Sequence, residues 1–514
     1  MPIPMRRFKW ARGKKPRRMK DHLACFGGSV RTVMWSGLQT ARITEMGESL
    51  SPLPLYHPIL FNTTGSRYEQ MAFHHAVSCT IQELGDYSSR YHFWREKVPL
   101  AGQHEAAVHH ALIALGAMHW SFLLQDNVFI PPVITRLRHT IALRHYTLSM
   151  QLVQSLGPGT PLKTMKTTLM CCLIFISIEN LSGHHVEALR HLQAGCRLLV
   201  SLRSIGTNYR NGSNPVPQDD ELDELTNLFS RLALDASVFI DDDVLSHFSM
   251  FGHPETTAFS LPPPCPGSFV SAAAARDMLH QLEIAHDIFY ERVFGEHDCQ
   301  IACTDSDVKS RHEELPLEFG QRDIGMYRMI HQWFQWWSKS FDLYIATGDR
   351  QHLRQEEHLI MKLQLGQKTW AALLKDDSPS LDIGGIVSQS ELEAIIEQAE
   401  KITNKTGPRY HPTFSFDAQV IISLWYVVAF ATDIALMRRA TKVLRELRLR
   451  GGLWDSIELA EVLEAIMVSW EQHGTHIRGY PGGLLSTAKT LSDFDMTCIK
   501  PTNSILILHD SLKA

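Results

Sequence analysis

Three consecutive carboxylates, Asp241-Asp242-Asp243, stand at the end of a segment with helical periodicity. Carboxylate oxygens are ligands that Mg²⁺ prefers, and a helical enzyme can use such a cluster to hold Mg²⁺ against a diphosphate. This chemistry also needs a second cluster of carboxylate, Asn or Ser side chains across a cavity, and the sequence shows none at a suitable spacing. Two interpretations stay open: an α-helical Mg-dependent enzyme of the terpene cyclase or prenyltransferase kind, and a solvated loop start.

A second group of residues has the donor types of a zinc site. His297, Cys299 and Cys303 could offer nitrogen and sulfur, and the two cysteines lie one helical turn apart. A tetrahedral site needs a fourth ligand, and Asp298 or His312 is the nearest candidate. Unpaired thiols beside a loop account for the same residues, so we predict no metal site here.

Motifs of the common catalytic sites do not occur in the sequence. His104-Glu105 is followed by His109 and not by a histidine at position 108, so the H-E-x-x-H spacing of metalloproteases fails. There is no G-x-x-x-x-G-K-[ST] loop, no G-x-G-x-x-G after a strand and no G-x-S-x-G elbow. We therefore expect a protein that is not an enzyme and that needs no cofactor.

Two groups of cations could contact an anionic partner. Lys14, Lys15, Arg17 and Arg18 are typical of a nuclear-localisation patch or of a fragment of a DNA-binding arm, with a solvated basic tail as the alternative. The second group lies in a predicted helix at 434–449 and consists of Arg438, Arg439, Lys442, Arg445 and Arg448 against the single acid Glu446. That helix either contacts nucleic acid or an acidic partner, or carries a solvated face whose cations suit a helix C-terminus.

The composition predicts a folded protein without a membrane span. Of 514 residues, 44% are hydrophobic and 20% charged, which is enough apolar material for a sizeable core. Nine scattered cysteines indicate a reducing compartment instead of a disulfide scaffold. No secretory signal follows the basic start, and the longest apolar runs, 169–178 and 420–431, are far shorter than the roughly 20 residues that cross a bilayer.

Helical periodicity begins after residue 67 and continues to about residue 480. The clearest stripe lies at 104–124 and consists of Val108, Ala111, Leu112, Leu115, Met118, His119 and Phe122. A hairpin follows at 167–200, and its first arm is apolar on all sides and must lie in a core. Composition predicts a loop at 206–218. We predict an all-α protein of about a dozen helices, with a basic, mostly disordered tail at 1–67, a helical body at 68–480 and a C-terminal tail at 481–514.

Five blocks of this body resemble, in the same order, the regulatory domain of fungal binuclear zinc-cluster transcription factors. The first is FWREKVPLAGQHEAAVHHALIALGAMHW at 93–120, with its A-L-G-A-x-H ending. The next three are 140–156 with Ala142, Leu143 and Tyr146, LMCCLIFISIENLSGHHVEALRHLQAGCRLLV at 169–200, and ELTNLFSRLALDASVF at 224–239. The fifth, at 414–464, contains FSFD at 414–417, RRA at 438–440 and GLWDS at 452–456.

The resemblance implies a nuclear transcription regulator that controls a metabolic gene cluster, such as one for a secondary metabolite. It also implies a helical domain that exposes faces to transcriptional co-regulators or to a small effector. A second copy of the chain is a further partner that the resemblance allows, and no membrane is expected to take part.

The resemblance fails at the N-terminus. The family's DNA-binding module is a cluster of six cysteines that holds two zinc ions. Residues 1–67 contain one cysteine, Cys25, and one thiolate cannot hold two zinc ions tetrahedrally. We therefore expect either a member of the family without the zinc cluster or an upstream exon that encodes it.

DNA binding by this chain is expected to be weak and indifferent to sequence. Residues 1–20 contain nine Lys or Arg and no acid. Because the net charge of the whole chain is −5, the remaining residues carry a net charge of −14. Mobile cations attract phosphates but cannot read base edges. Titration against promoter and scrambled duplexes should give a Kd of about 10⁻⁴ to 10⁻⁶ M that weakens with salt. Deletion of residues 1–20 should abolish the binding, and a preference for one promoter at physiological salt would contradict the prediction.

Overall fold

The computed structural model of the protein describes residues 65–85, 93–125, 131–155, 162–210, 220–237, 267–290, 321–375, 387–405 and 411–473. Helices dominate these ranges, as the sequence predicts. The N-terminal half contains α1 (Arg67–His75), α2 (Ile81–Gly85), α3 (Val98–His104), α4 (Ala106–Leu123), α5 (Pro132–Gln154), α6 (Leu162–Ser182), α7 (His185–Arg210) and α8 (Asp220–Ser237), with π-helical turns at Ala76–Thr80 and Phe93–Lys97.

The C-terminal half adds eight helices and three short strands within the described ranges. They are α9 (Ala272–Tyr290), α10 (Gln321–Thr347), α11 (Arg350–Gln355), α12 (Glu357–Leu373), α13 (Gln389–Lys405), β1 (Thr413–Ser415), α14 (Gln419–Phe430), α15 (Ile434–Leu447), β2 (Leu449–Gly451), β3 (Trp454–Asp455) and α16 (Ser456–His473). The fold class predicted from the sequence is confirmed. One detail is wrong: the predicted loop at 206–218 begins too early, because α7 continues to Arg210.

The helices of the N-terminal half surround α4. The whole apolar stripe predicted on this helix is buried, and α4 packs against α1, α5 and α6. Helix α6 is buried along Leu169–Leu181 on every side, which confirms the prediction that this arm lies in a core. Gly183, with φ of 76°, then turns the chain into α7. The left-handed backbone conformation at this position favours glycine, which has no Cβ.

Two of these helices are long and apolar enough to cross a membrane, judged by length and composition alone. They are α4 and α6, of which 72% and 78% is buried inside the protein. Burial of that extent is what the core helices of a folded domain show, so length and composition are weak evidence for a span.

Three hydrophobic cores form within the described residues. The first joins α1–α8 and also takes in Phe414, Phe416 and Leu453 from the C-terminal half. The second joins α12–α16, and the third joins α9, α10 and α12. The first and second cores therefore meet at the segment around the strands.

The strands form a small sheet of order β1-β2-β3. β1 is parallel to β2, and β2 is antiparallel to β3. The sequence analysis predicted no strands, because elements of two or three residues are too short to show an alternating pattern. β1 and β3 overlap two motifs of the fifth block of the resemblance, FSFD at 414–417 and GLWDS at 452–456.

The close approach of α1 to α4 depends on Gly116. A Cβ at this position would lie 1.9 Å from the carbonyl oxygen of Ala72. We expect Gly116→Ala to lower the free energy of unfolding by about 1–3 kcal/mol, because the backbone of α1 would have to move. The matched control is Gly325→Ala in α10, where a Cβ would meet nothing within 4 Å.

The control should gain up to about 1 kcal/mol, because alanine has the higher helix propensity. Thermal and urea unfolding of the two purified variants beside the wild type measures the difference. Equal midpoints for Gly116→Ala and the wild type would contradict the packing described here.

Candidate functional site

Several residues singled out in the sequence lie outside the described residues. They are the basic patch Lys14, Lys15, Arg17 and Arg18, the triplet Asp241–Asp243, and the group His297, Cys299 and Cys303. The predictions made for them therefore stay predictions. In the ranges that the structure describes, no three His, Cys, Asp or Glu side chains come together in a way that could hold a metal ion.

The cations of helix α15 pair with acids of its neighbours. Arg439 contacts Glu400 of α13 at 2.6 Å, and Arg438 contacts Glu471 of α16 at 2.6 Å. Arg445 pairs with Glu464 of α16, and Lys442 lies 3.7 Å from Glu446 in the same helix. Exposed pairs of this kind contribute little stability, but they neutralise the face. The structure therefore favours a solvated, internally paired face over a nucleic-acid surface.

Arg450 in β2 joins the C-terminal sheet to the N-terminal helices. Its Nη1 donates to the carbonyl oxygens of Asn180 at 2.9 Å and Leu181 at 3.1 Å in the last turn of α6, where the Asn180 oxygen also accepts from the Gly183 N–H at 3.0 Å. Its Nε donates to Asp455 at 2.7 Å, and its guanidinium lies 5.1 Å from the ring centre of Phe122 in α4. A cation at a helix C-terminus also interacts favourably with the helix dipole.

Further hydrogen bonds support the same junction. The buried Asn180 donates from Nδ2 to the carbonyl oxygen of Gly452, and Trp454 donates from Nε1 to the carbonyl oxygen of Asp235 in α8 at 3.1 Å. At the first strand, the Phe414 N–H donates to Glu83 of α2 at 3.0 Å. The blocks at 169–200 and 414–464, far apart in sequence, are thus one structural unit.

A cavity lined by charged side chains lies beside this junction. Its polar lining consists of Arg231 and Asp235 from α8, Arg276, His280 and Glu283 from α9, and Asp417 after β1. Leucine side chains and Phe416 form the rest of the wall. Its volume is about 40 Å³, which is room for about three water molecules or a small polar group.

The charges around the cavity form one pair within α9 and another between α8 and α9. Arg276 donates to both oxygens of Glu283, at 3.0 and 3.3 Å. Arg231 donates to Asp277 at 2.9 Å, which joins α8 to α9. Arg231, Arg276 and Glu283 are largely buried, so removal of one partner would leave a buried charge without compensation, whereas Asp277 is partly exposed.

Two carboxyl groups at the cavity differ in their pKa. Burial raises the pKa of Asp235 well above its usual range, and the negative charge of Asp417 adds to this effect. Burial acts in the same direction on Glu283, but the adjacent Arg276 and His280 outweigh it and lower the pKa of Glu283 to about 2. Asp235 is therefore easier to protonate than an ordinary aspartate, whereas Glu283 stays ionised near neutral pH.

Sequence reasoning missed this cluster, although its spacing carried a signal. Arg231 and Asp235 are four residues apart in α8, and Arg276, His280 and Glu283 follow at i, i+4 and i+7 in α9. Such spacing places charged side chains on one face of each helix. Both helices also have apolar faces, so the sequence alone does not show whether the charged face is buried.

The comparisons with known proteins agree with the sequence blocks. Residues 71–255 match the family model described as fungal specific transcription factor domain. This range contains the end of α1, all of α2–α8 and the first four blocks of the resemblance, so the recognition of the family from those blocks is confirmed. Over this range, about a third of its length, the chain is similar to a fungal specific transcription factor domain.

A particular relative extends this finding. Over 305 residues the chain is 23% identical to a protein of Emericella nidulans named as an aspercryptin biosynthesis cluster-specific transcription regulator. The alignment covers 59% of this chain and 46% of that relative, so the chain spans less than half the length of the relative. No solved structure matches the chain.

His280 should make the stability of the domain sensitive to acid. Burial is the main cause that lowers its folded pKa, to about 4, whereas an unfolded histidine titrates near 6.5. Between these values the unfolded chain binds a proton that the folded chain does not. The contribution of the neutral, buried His280 to the free energy of unfolding is therefore present above pH 6.5 and is lost as the pH falls towards 4.

We expect the melting temperature of His280→Gln to fall less steeply between pH 7 and about 4 than that of His139→Gln, which removes an exposed imidazole from α5. Scanning calorimetry at several pH values measures the two slopes. Equal slopes would show that His280 does not stay neutral in the folded protein.

Proposed function

We propose that this protein is a nuclear transcription regulator that controls a metabolic gene cluster, in particular one for a secondary metabolite. The observation that carries the proposal is the fungal specific transcription factor domain at 71–255. The relative from Emericella nidulans, named for the regulation of a biosynthesis cluster, supports the narrower part of the proposal.

The construction of the domain supports a role in regulation by contacts with other molecules. The C-terminal block at 414–464 packs on the family domain through Arg450 and Trp454, so a ligand at the junction would contact both parts. The charged cavity lies against this junction, where a small polar effector group would contact α8, α9 and the segment after β1 at once. A ligand can shift a regulatory equilibrium only through such differential contacts.

DNA contact and nuclear import are assigned to a different part of the chain. The cations of α15 are already paired with Glu400, Glu471 and Glu464, so they are poor candidates for phosphate binding. We assign nuclear localisation and non-specific DNA attraction to Lys14, Lys15, Arg17 and Arg18 in the basic tail.

The alternative of a terpene cyclase or prenyltransferase receives no support from the comparisons. The description of the matching family and the name of the relative both refer to transcription, and neither names an enzyme. We therefore propose that the protein acts without catalysis and that its partners are transcriptional co-regulators.

A fusion to a heterologous DNA-binding domain tests the proposal. With the binding site of that domain placed upstream of a reporter gene, the fused full chain should change reporter expression severalfold relative to the DNA-binding domain alone. A fusion that carries Gly116→Ala, which is expected to disturb the α1–α4 contact, should lose most of this effect, whereas Gly325→Ala should retain it. No change of expression by the wild-type fusion, when it is present in the nucleus, would overturn the proposal.

A further inference from the structure

Helix α5 packs on α4 with only one of its faces. Ser149 Oγ donates to the carbonyl oxygen of Ala107 at 2.7 Å, and the Arg138 guanidinium lies 4.2 Å from the centre of the Trp120 ring. These contacts show that the two helices are antiparallel. Because α4 ends at Leu123, the first turns of α5 extend beyond it.

The opposite face of α5 is exposed along its length. We call this face the outer stripe; it consists of Val133, Arg136, Leu137, Thr140, Leu143, Arg144 and Thr147. The spacing of i, i+3, i+4, i+7, i+10, i+11 and i+14 places these side chains within about a third of the helix circumference. Val133 is 64% exposed and Leu143 is 65% exposed, which is unusual for large aliphatic side chains. At 1.5 Å per residue the outer stripe is about 21 Å long.

The outer stripe lies in a part of the chain without acids. Between Asp126 and Glu179 there is no Asp or Glu, although the whole chain contains 55 of them in 514 residues. Arg136 has no acidic partner among the described residues, and Arg144, whose side chain is 69% exposed, lies 3.6 Å from Glu69 of α1. The contrast with α15 rests on Arg136, because the neighbours of α15 supply an acid for each of Arg438, Arg439 and Arg445.

We propose that the outer stripe of α5 is the docking site for an acidic amphipathic helix of a partner protein. The proposal rests on the proposed function, in which such a partner is a transcriptional co-regulator. A helix with Leu or Phe on one face and Asp or Glu beside them would cover Val133, Leu137 and Leu143 and pair with Arg136 and Arg144.

Three other occupants fit the outer stripe less well. A second copy of the same face would bring its arginines against those of the first, and like charges repel. A nucleic acid would use the cations but would leave the three aliphatic side chains in water. A membrane surface needs a broad apolar face, and here single aliphatic residues alternate with arginine and threonine.

Peptide binding to the full chain tests the docking site. The probe is a fluorescein-labelled peptide of about 14 residues, matched to the length of the outer stripe, with Leu and Phe at i, i+3, i+4 and i+7 and Asp or Glu at most other positions. Fluorescence anisotropy should show saturable binding, and a scrambled peptide of the same composition should bind about tenfold more weakly because its apolar face is lost.

Two substitutions and a matched control locate the binding. Arg136→Glu and Leu143→Ser should each weaken the peptide affinity about fivefold to tenfold, because one removes the charge attraction and the other the apolar contact. Lys442→Glu makes the same charge change as Arg136→Glu on the exposed surface of α15, and it should change the affinity by less than about twofold. All three positions are exposed or part of an exposed pair, so the melting temperature of each variant serves as a check on folding.

Other outcomes overturn the docking site. If Arg136→Glu and Lys442→Glu reduce the peptide affinity equally, the attraction comes from the net charge of the protein and not from the outer stripe. If the substitutions in α5 reduce binding to a DNA duplex or to vesicles with anionic lipid, and leave peptide binding unchanged, the occupant is a different one. The peptide titration does not depend on the reporter experiment. A reporter fusion without activity combined with peptide binding at the outer stripe would contradict the proposed function and leave the docking site in place.

Discussion

The guanidinium of Arg450 is the contact on which the arrangement of the two halves depends. It satisfies the last carbonyl groups of α6, pairs with Asp455 in its own hairpin and lies over the ring of Phe122 in α4. A buried cation is stable only when its donors find acceptors in suitable geometry, so the hairpin has little freedom to shift along α6. Asn180, donating to Gly452 in the opposite direction, fixes the same register.

The rest of the architecture follows from that junction. Once the strands are held at the end of α6, Phe414 and Phe416 enter the first core while Trp454 and Leu449 enter the second. The charged cavity forms where α8, α9 and the segment after β1 meet beside the strands. A polar cluster at such a place contributes less stability than apolar packing, but its ion pairs require a particular geometry, which favours a defined relation between the elements.

Charge pairing decides which basic segments can meet a partner. The arginines of α15 look available in the sequence, yet acids of α13 and α16 neutralise them. Helix α5 carries fewer cations, but its outer stripe has exposed aliphatic side chains and lies in an acid-free part of the chain. If the protein is the regulator proposed above, helix α5 is the better candidate surface for a partner, and residues 1–67 stay the proposed segment for nuclear import.

The sequence by itself determined the helices, the core face of α4, the buried arm α6 and the family, because periodicity and local motifs report how one segment meets its surroundings. It did not determine the strands, the cavity, or the pairing of Arg450 with Asn180 and of Arg439 with Glu400. Those contacts join residues that are distant in the chain, and the identity of a charged residue does not say whether it faces water or a partner. Only the tertiary structure brings the partners together, and it thereby decides which charges are paired inside the domain and which stay free to bind.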